Sequence, residues 1–172
     1  MTLFNRASNY IIITLAVLWT IAFSSCGFYS LSGISIEEEK TIQIDYFPNK
    51  ARIVAPVLSP IFTEKLQDKF SNESPLELVD READITITGS IVNYSVSPAA
   101  SGGDDLAQLN RLTIGISVNY YNRLKDEKWN QTFSQFEDFE QETNLKDVED
   151  ELIESISDLL VIEIFNKALV NW

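Results

Sequence analysis

The chain has 172 residues, 45% of them hydrophobic, and its 13 basic and 26 acidic residues give a formal net charge of −13. This length favours one domain with an ordinary core and excludes wholesale disorder, while the acidic charge argues against nucleic acid as a partner. No His is present and Cys26 is the only Cys, which excludes His-based nucleophiles and metal sites, disulfides within the chain and thiolate zinc clusters, so we expect no cofactor and no metal.

Residues 1–25 have the pattern of a secretory signal. An amino-terminal positive charge precedes an apolar run at residues 10–23, and this run is shorter than the roughly 20 residues that span a bilayer. The run leads into Ser24 and Ser25 directly before Cys26, as lipoprotein signal peptidase requires. We therefore expect cleavage after residue 25 and acylation of Cys26, and the alternative is an uncleaved interfacial anchor.

The segment that follows, residues 26–40, is small and polar, and we interpret it as a lipidated tether. Its three consecutive Glu residues at 37–39 fit a solvated charge run better than an acidic ligand site. Removal of residues 1–25 takes away one basic residue, Arg6, so the mature chain would carry 12 basic and 26 acidic residues, a net charge of −14. Several acyl chains would hold such a protein on a membrane without a transmembrane helix.

The first predicted elements are a strand over residues 41–47 and a helix from residue 59 to about residue 71. Alternation of apolar and polar residues indicates the strand. Ser59 as the cap and Pro60 in the first turn indicate where the helix begins. The residues expected to face the core are Ile42, Ile44, Tyr46, Leu58, Ile61, Phe62, Leu66 and Phe70.

Next come a candidate short strand at residues 76–79, which the four-stranded prediction below does not count, and a long strand at residues 83–97. The apolar residues of the long strand change phase partway along it. Because a slip of one residue exchanges the two faces of a strand, we expect a β-bulge near residues 89–91. The residues expected inward before and after the bulge are Ile85, Ile87, Ile91, Val92, Tyr94 and Val96.

Two further strands and a helix complete the chain. After a loop at residues 98–105, strands are predicted over residues 110–122 and 128–136, and Asn144 is the expected cap of a helix that runs close to the C-terminus. The residues expected to pack on the core are Leu112, Ile114, Ile116, Val118, Tyr120, Trp129, Phe133, Phe136 and Phe139 from the strands and Val148, Leu152, Ile156, Leu159, Leu160, Phe165 and Leu169 from the helix.

The order β-α-β-β-β-α predicts an α+β fold for residues 41–172. An amphipathic helix must bury its apolar stripe, and a sheet with one apolar face offers the surface on which to bury it. We therefore predict a two-layer sandwich in which a sheet of about four strands carries both helices on one face.

The opposite face of the predicted sheet is polar but uncharged. A sheet that faces water commonly carries Lys and Glu, so this composition favours contact with a polar barrel lumen or another protein wall. The alternative is that Thr is present only for its strand propensity. The candidate partner contacts are Thr86, Thr88, Thr113, Ser117, Asn119 and Thr132, and Ser90, Gly115, Asn130 and Ser134 complete the face.

Three stretches of the sequence carry a family resemblance. They are CGFYSLSG at 26–33 continued by TIQIDYFPNKARIVAPVLSPIFTEKLQDKF at 41–70, LNRLTIGISVNY at 109–120, and VEDELIESISDLLVIEIFNKALVNW at 148–172. These stretches resemble a divergent branch of the LptE family, the outer-membrane lipoproteins of lipopolysaccharide assembly. The resemblance implies a non-enzymatic, lipid-anchored protein on the periplasmic side of the outer membrane. It also implies that the protein plugs the β-barrel LptD, assists its assembly and helps to insert lipopolysaccharide into the outer leaflet.

Basic residues of that family are implicated in contacting anionic lipopolysaccharide, and Arg111 is the candidate here. The alternative for Arg111 is an ordinary surface ion pair. The acidic charge argues against a carrier of lipopolysaccharide and fits a plug with local contacts better. A second function stays open, that of a periplasmic ligand-binding or envelope-maintenance lipoprotein without a barrel. Asp104 and Asp105 lack the ligand spacing of a calcium loop and are interpreted as a solvated turn.

Substitution Cys26→Ser should leave the protein unprocessed or soluble, because the thiol accepts the first acyl group and cleavage follows that modification. Intact-mass analysis of protein from the membrane fraction checks this, and the wild-type chain is expected to begin at an acylated Cys26. An unmodified Cys26 thiol in that fraction would show that the prediction is wrong.

Overall fold

A five-stranded sheet carries two helices on one of its faces. A computed structural model gives this architecture for the residues that it describes, which are residue 36 and residues 38–99 and 109–170. The expected α+β class is confirmed, whereas Cys26, Asp104 and Asp105 lie outside the described residues. The elements in chain order are β1 (Thr41–Ile44), α1 (Leu58–Glu73), β2 (Glu77–Leu78), β3 (Ile85–Ala99), β4 (Leu109–Asn122), β5 (Glu127–Glu140) and α2 (Leu145–Leu169).

The strand order across the sheet is β2-β1-β3-β4-β5. The two strands β2 and β3 flank β1 in parallel, and β3, β4 and β5 form an antiparallel meander. The sheet therefore has five strands instead of the predicted four or so, because the short segment at Glu77–Leu78 pairs with Thr41 and Ile42 at the sheet edge.

The first strand ends earlier than predicted. Beyond Ile44 the chain leaves the regular ladder, and Tyr46, which was expected inward, is 58% exposed. Its neighbour Phe47 is fully buried instead, with its N–H donating to Thr63 Oγ1 at 3.1 Å and its ring 5.1 Å from that of Phe62. Phe47 therefore takes the inward position that was predicted for Tyr46, and the alternation of inward and outward residues shifts by one at this point.

Gly89 makes room for that aromatic ring. A Cβ on Gly89 would lie 2.4 Å from the ring of Phe47 and 2.2 Å from the backbone oxygen of Ser117. Both distances are far below van der Waals contact, so a side chain at this position would displace the ring and the neighbouring strand. The glycine is thus required by close packing inside the sheet.

Helix α1 begins one residue before the predicted cap. Leu58 is its first residue and is fully buried, and Ser59 lies inside the first turn without capping it. A turn closed by the Leu58 N–H donating to the Ala55 carbonyl at 3.2 Å starts the helix. Pro60 is compatible with this position, since the first four N–H groups of a helix have no partner within it.

The β-bulge lies slightly beyond the predicted position. The register between β3 and β4 shifts between Ile91 and Asn93, which makes Val92 the extra residue. Val92 and Val96, both expected inward, are exposed at 42% and 41%. Tyr94 returns to the core as predicted. Val96 lies on the inner face of β3. The segment that follows β1 pairs with β3 only as far as Ile91, so no described strand lies beside Val96 on that side.

The meander is longer than predicted at both of its outer ends. Strand β3 continues to Ala99 instead of ending at residue 97, and β5 runs to Glu140 instead of ending at residue 136. Along β5, Phe133 and Phe139 are buried as expected, whereas Phe136 is 46% exposed. Strict alternation places Phe136 on the opposite face from the other two, and the assumption that all three pack on the core was wrong.

The two helices bury their apolar side chains on the inner face and against each other. The rings of Phe70 and Phe165 meet edge to face with centroids 5.0 Å apart. Asn144 caps α2 as predicted, because its side chain accepts from the Lys146 N–H at 3.2 Å. The apolar stripe predicted for α2 included Leu159, but this side chain is 44% exposed. Three residues that the stripe omitted are buried, namely Ile153, Val161 and Ile164.

Replacement of Ile156 by Ala should lower the free energy of unfolding by about 2–5 kcal/mol, because this side chain is fully buried and its truncation leaves a cavity. Leu159→Ala, three positions along the same helix, is the matched control and should cost less than about 1 kcal/mol. Urea denaturation of both variants measures the two values. Similar losses for the two variants would show that the burial pattern assigned to α2 is incorrect.

Candidate interaction surface

The long antiparallel strands present one continuous polar face on the side away from the helices. The strand registers align residues of β3, β4 and β5 in rows across the sheet. We call these rows the outer face, and no helix or strand of the described residues packs over it. The rows are Thr86, Tyr121 and Lys128; Thr88, Asn119 and Asn130; Ser90, Ser117 and Thr132; Asn93, Gly115 and Ser134; Ser95, Thr113 and Phe136; Ser97, Arg111 and Asp138; Ala99, Leu109 and Glu140.

All six predicted contact residues therefore lie on this one face. Their side chains differ in exposure, because Thr86, Thr88, Thr113 and Ser117 are half-buried between neighbouring strands whereas Asn119 and Thr132 are exposed. Thr113 and Ser117 are on the central strand of the meander, which places them in the middle of the surface. The alternation of the sequence was sufficient to find these residues, since every one has the parity opposite to the core.

The centre of the outer face carries small polar side chains, so no charged group and no large side chain projects from it. Gly115 is buried in the middle of it, and a Cβ at that position would lie 3.0 Å from the Cβ of Asn93. Nearby, Asn130 Nδ2 donates to Asn119 Oδ1 at 2.6 Å across two strands. Hydroxyl and amide groups both donate and accept, so this centre can bind a protein wall through hydrogen bonds without any charged group having to lose its hydration.

Two aromatic residues on the outer face were missed by the sequence interpretation. Tyr121 is 40% exposed in the row at one end of the meander, and Phe136 is 46% exposed near the other end. Their parity along β4 and β5 was available from the sequence, but Phe136 was assigned to the core and Tyr121 was left out of the predicted outer face. The outer face thus combines an uncharged polar centre with an exposed aromatic ring towards each end.

Arg111 lies near one end of the outer face in a compact cluster. Its Nε and Nη2 donate to the two carboxylate oxygens of Asp138 at 2.7 and 2.9 Å, and its guanidinium carbon is 3.6 Å from the ring centroid of Phe136. The bonds from Arg111 lower the pKa of Asp138. The side chain expected to contact lipopolysaccharide is therefore held by two partners on the neighbouring strand, with its guanidinium over an aromatic ring.

Among the described residues, no helix has the length and apolar character needed to cross a membrane.

Solved structures of bacterial proteins share this fold. A minor lipoprotein of Acinetobacter baumannii aligns with a TM-score of 0.51 at 11% identity, covering 75% of this chain and 91% of that one. A protein of Xanthomonas campestris aligns with a TM-score of 0.52 at 13% identity, covering 73% and 81% of the two chains. A Chlamydia trachomatis protein gives 0.51 at 10% identity, with 75% and 95% covered. No curated protein sequence matches the chain.

These likenesses assign the chain to a class of small α+β proteins in which two helices cover one face of a sheet. The sequence identifies the family within that class. The family described as LptE, lipopolysaccharide-assembly, matches residues 39–168, which is most of the chain and nearly all of the described domain. The chain belongs to the LptE family of lipopolysaccharide assembly.

The ion pair between Arg111 and Asp138 should give a measurable pH dependence of stability. The pKa of Asp138 in the folded protein is lowered from 3.8, so the pair stabilises the fold above that value and its contribution is lost as the pH falls through the folded pKa. The difference in unfolding free energy between wild type and Arg111→Met should be constant from pH 7 to about 5 and shrink below about 4. A difference that persists unchanged to pH 2 would contradict the ion pair.

Proposed function

We propose that this protein is a non-enzymatic outer-membrane lipoprotein that plugs an LptD-like β-barrel, assists its assembly and so helps to insert lipopolysaccharide into the outer leaflet. In this proposal residues 1–25 are a cleaved signal, residues 26–40 are the tether acylated at Cys26, and residues 41–172 form the plug. The observation that carries the proposal is the outer face with its uncharged polar centre, which both helices leave open.

The charge distribution of the sheet supports contact with a barrel lumen. Neither β3 nor β4 contains an acidic residue, although the chain has 26 of them. The lumen of an outer-membrane barrel is polar, so hydroxyl and amide groups of the outer face find donors and acceptors there. An acidic sheet would have to desolvate its carboxylates to make the same contact, at a cost that only well-placed cations would offset.

Arg111 is the proposed point of contact with lipopolysaccharide. Phosphate groups accept two parallel hydrogen bonds from a guanidinium in the way that a carboxylate does, so a phosphate can replace or share the position of Asp138. The ring of Phe136 beneath the guanidinium would keep its plane fixed during that exchange. The net charge of −14 of the mature chain, with 12 basic and 26 acidic residues, restricts such contact to this local site, because the chain as a whole repels anions at long range.

Substituting Thr113 or Ser117 by Arg should spare the fold and impair association with the barrel. Each change puts an unpaired charge into the centre of a packed interface, which costs roughly 3 kcal/mol or more and lowers the affinity at least a hundredfold. Yield of the barrel protein in a pull-down from detergent-solubilised membranes measures the effect. The melting temperature of each variant should stay close to that of the wild type.

Two control variants separate an interface effect from other causes. Ser71→Arg adds the same charge at an exposed position of α1 and should leave the pull-down unchanged. Ile114→Arg places the charge at a fully buried position and should unfold the domain. Normal barrel recovery by folded Thr113→Arg and Ser117→Arg variants would show that the outer face is simply solvent-exposed. Absence of any barrel in the wild-type pull-down would favour a lipoprotein that acts without one.

A further inference from the structure

Strand β5 forms one edge of the sheet, and among the described residues no strand pairs with its outer side. The order across the sheet is β2-β1-β3-β4-β5, so β5 pairs only with β4. All 14 of its residues are in register with β4, without a bulge. At the other edge, β2 has only two residues. A very short edge strand is one of the devices by which proteins prevent unwanted pairing, and β5 lacks this protection.

The backbone hydrogen bonds at the start of β3 show which residues of β5 point away from β4. The Arg123 N–H donates to the Asp84 carbonyl at 2.8 Å, and this pair continues the β3–β4 register one step beyond Ile85 and Asn122. Odd-numbered residues of β4 therefore bond to β3. Because successive residues of a strand point their N–H and C=O groups to opposite sides, the even-numbered residues of β4 bond to β5. Their partners in the register are the odd-numbered residues of β5.

The even-numbered residues of β5 therefore direct their N–H and C=O groups away from the sheet, and we call this side of the strand the free edge. The Thr143 N–H donates to the Glu140 carbonyl at 3.0 Å, as this assignment requires. Within the described part of the chain, the other backbone groups of the free edge have no backbone partner. The residues of the free edge are all exposed, and those before Glu140 are Lys128, Asn130, Thr132, Ser134, Phe136 and Asp138.

The middle of the free edge lacks the residues that keep an edge strand from pairing. Such strands usually carry Pro, Lys or a charge that points inward. Strand β5 contains no Pro, and its single Lys, Lys128, is near its start. The eight residues between Lys128 and Glu137 are uncharged, although 23% of the chain is charged. An open edge of this kind favours the addition of an extended segment through main-chain hydrogen bonds.

The two faces beside the free edge indicate the chemistry of the segment that fits it. On one side, an added strand would extend the outer face beside Asn130, Thr132 and Ser134. On the other side, its side chains would lie beside Trp129 and Phe133 of the inner face. Alternation of polar and apolar residues is the pattern of a transmembrane β-strand, whose polar side faces the lumen. Such a strand has about 9–11 residues, and the 14 residues of β5 are enough to pair with all of it.

We propose that the free edge of β5 pairs with an amphipathic strand of the LptD-like barrel protein before the barrel closes. The inference rests on the proposed function and gives the assembly role a physical step. Before closure, a barrel strand has an unpaired edge that is prone to aggregation, and β5 satisfies its N–H and C=O groups. In the closed barrel every strand pairs on both sides. The strand therefore leaves β5 for its neighbour in the wall, and the outer face keeps the domain in the lumen.

The test follows the refolding of the urea-unfolded barrel protein in detergent micelles that contain this protein, purified from membranes as the full chain. Ser134→Pro removes an N–H group at the centre of the free edge and places a ring where the added strand would bond. Pro is tolerated there because this N–H has no partner within the sheet. Ser134→Ala, which keeps the N–H, is the matched control. The Pro variant should slow the appearance of folded barrel on unheated gels about fivefold, and the Ala variant should match the wild type.

Pulsed hydrogen exchange on the wild-type protein gives a second readout that needs no variant. While the barrel protein refolds, the amides of Asn130, Thr132 and Ser134 should exchange about tenfold more slowly than in the isolated protein. The amides of Gln131 and Phe133 bond to β4 in both states and should change little. Protection of alternate residues is the pattern that an added strand produces and that a contact through the outer face does not.

The outcomes separate this inference from the proposed function. Unchanged exchange at the free edge, or equal barrel folding with the folded Pro and Ala variants, would overturn the pairing. The proposed function would survive that result if Thr113→Arg still lowered barrel recovery in the pull-down. A wild-type protein that recovers no barrel would contradict the proposed function and this inference with it.

Two further outcomes also decide the question. Slow exchange at the free edge of the isolated protein, increasing with its concentration, would show that a second copy occupies the edge and would overturn the assignment to a barrel strand. If Ser134→Pro fails to fold, the exchange measured on the wild type decides: slow exchange during barrel refolding supports the pairing, and unchanged exchange overturns it.

Discussion

Both helices bury their apolar side chains on the same face of the sheet, and this one-sided burial is the constraint on which the rest of the structure depends. Phe62 and Phe70 of α1 and the stripe of α2 share a core with the inward residues of every long strand. Once that face is covered, the described part of the chain has no further element to cover the other face of β3, β4 and β5. The candidate interaction surface is therefore a direct consequence of having two helices and one sheet.

The composition of the open face is what distinguishes it from an ordinary solvent-facing sheet. Its charged residues stand towards the ends, with Lys128 in the row at one end and the Arg111–Asp138 pair and Glu140 in the last two rows at the other. Gly115, Ser117 and Thr132 occupy the interior. The other acidic residues of the described part lie on the helices, on β2 and β5, and in the segments that precede or connect the elements. The protein can therefore repel anions at long range and still present a contact surface with a neutral centre, because the acidic residues and that centre are on different parts of the molecule.

Where apolar and polar residues alternate without interruption along a strand, the sequence was sufficient to predict which residues face the core. All five inward residues of β4 were predicted, because this strand has neighbours on both sides and its register cannot slip without exposing them. The prediction that Tyr46 faces the core was wrong, because the pocket beside Gly89 that accepts Phe47 is formed by residues distant in sequence. The Arg111–Asp138 bond joins positions 27 apart, and only the pairing of β4 with β5 brings them together. Alternation predicted the polar part of the outer face, whereas Phe136 was wrongly assigned to the core with its two neighbouring phenylalanines and Tyr121 was left out of the predicted face.

The measurement that tests the central claim most directly is photo-crosslinking in intact cells. A benzoylphenylalanine at position 132 would report on the outer face, and one at position 154, exposed on α2, would report on the helix layer. The account predicts a crosslink from position 132 to a large outer-membrane β-barrel protein and none from position 154. A crosslink to such a barrel from position 154 alone, or no crosslink to one from position 132, would contradict it.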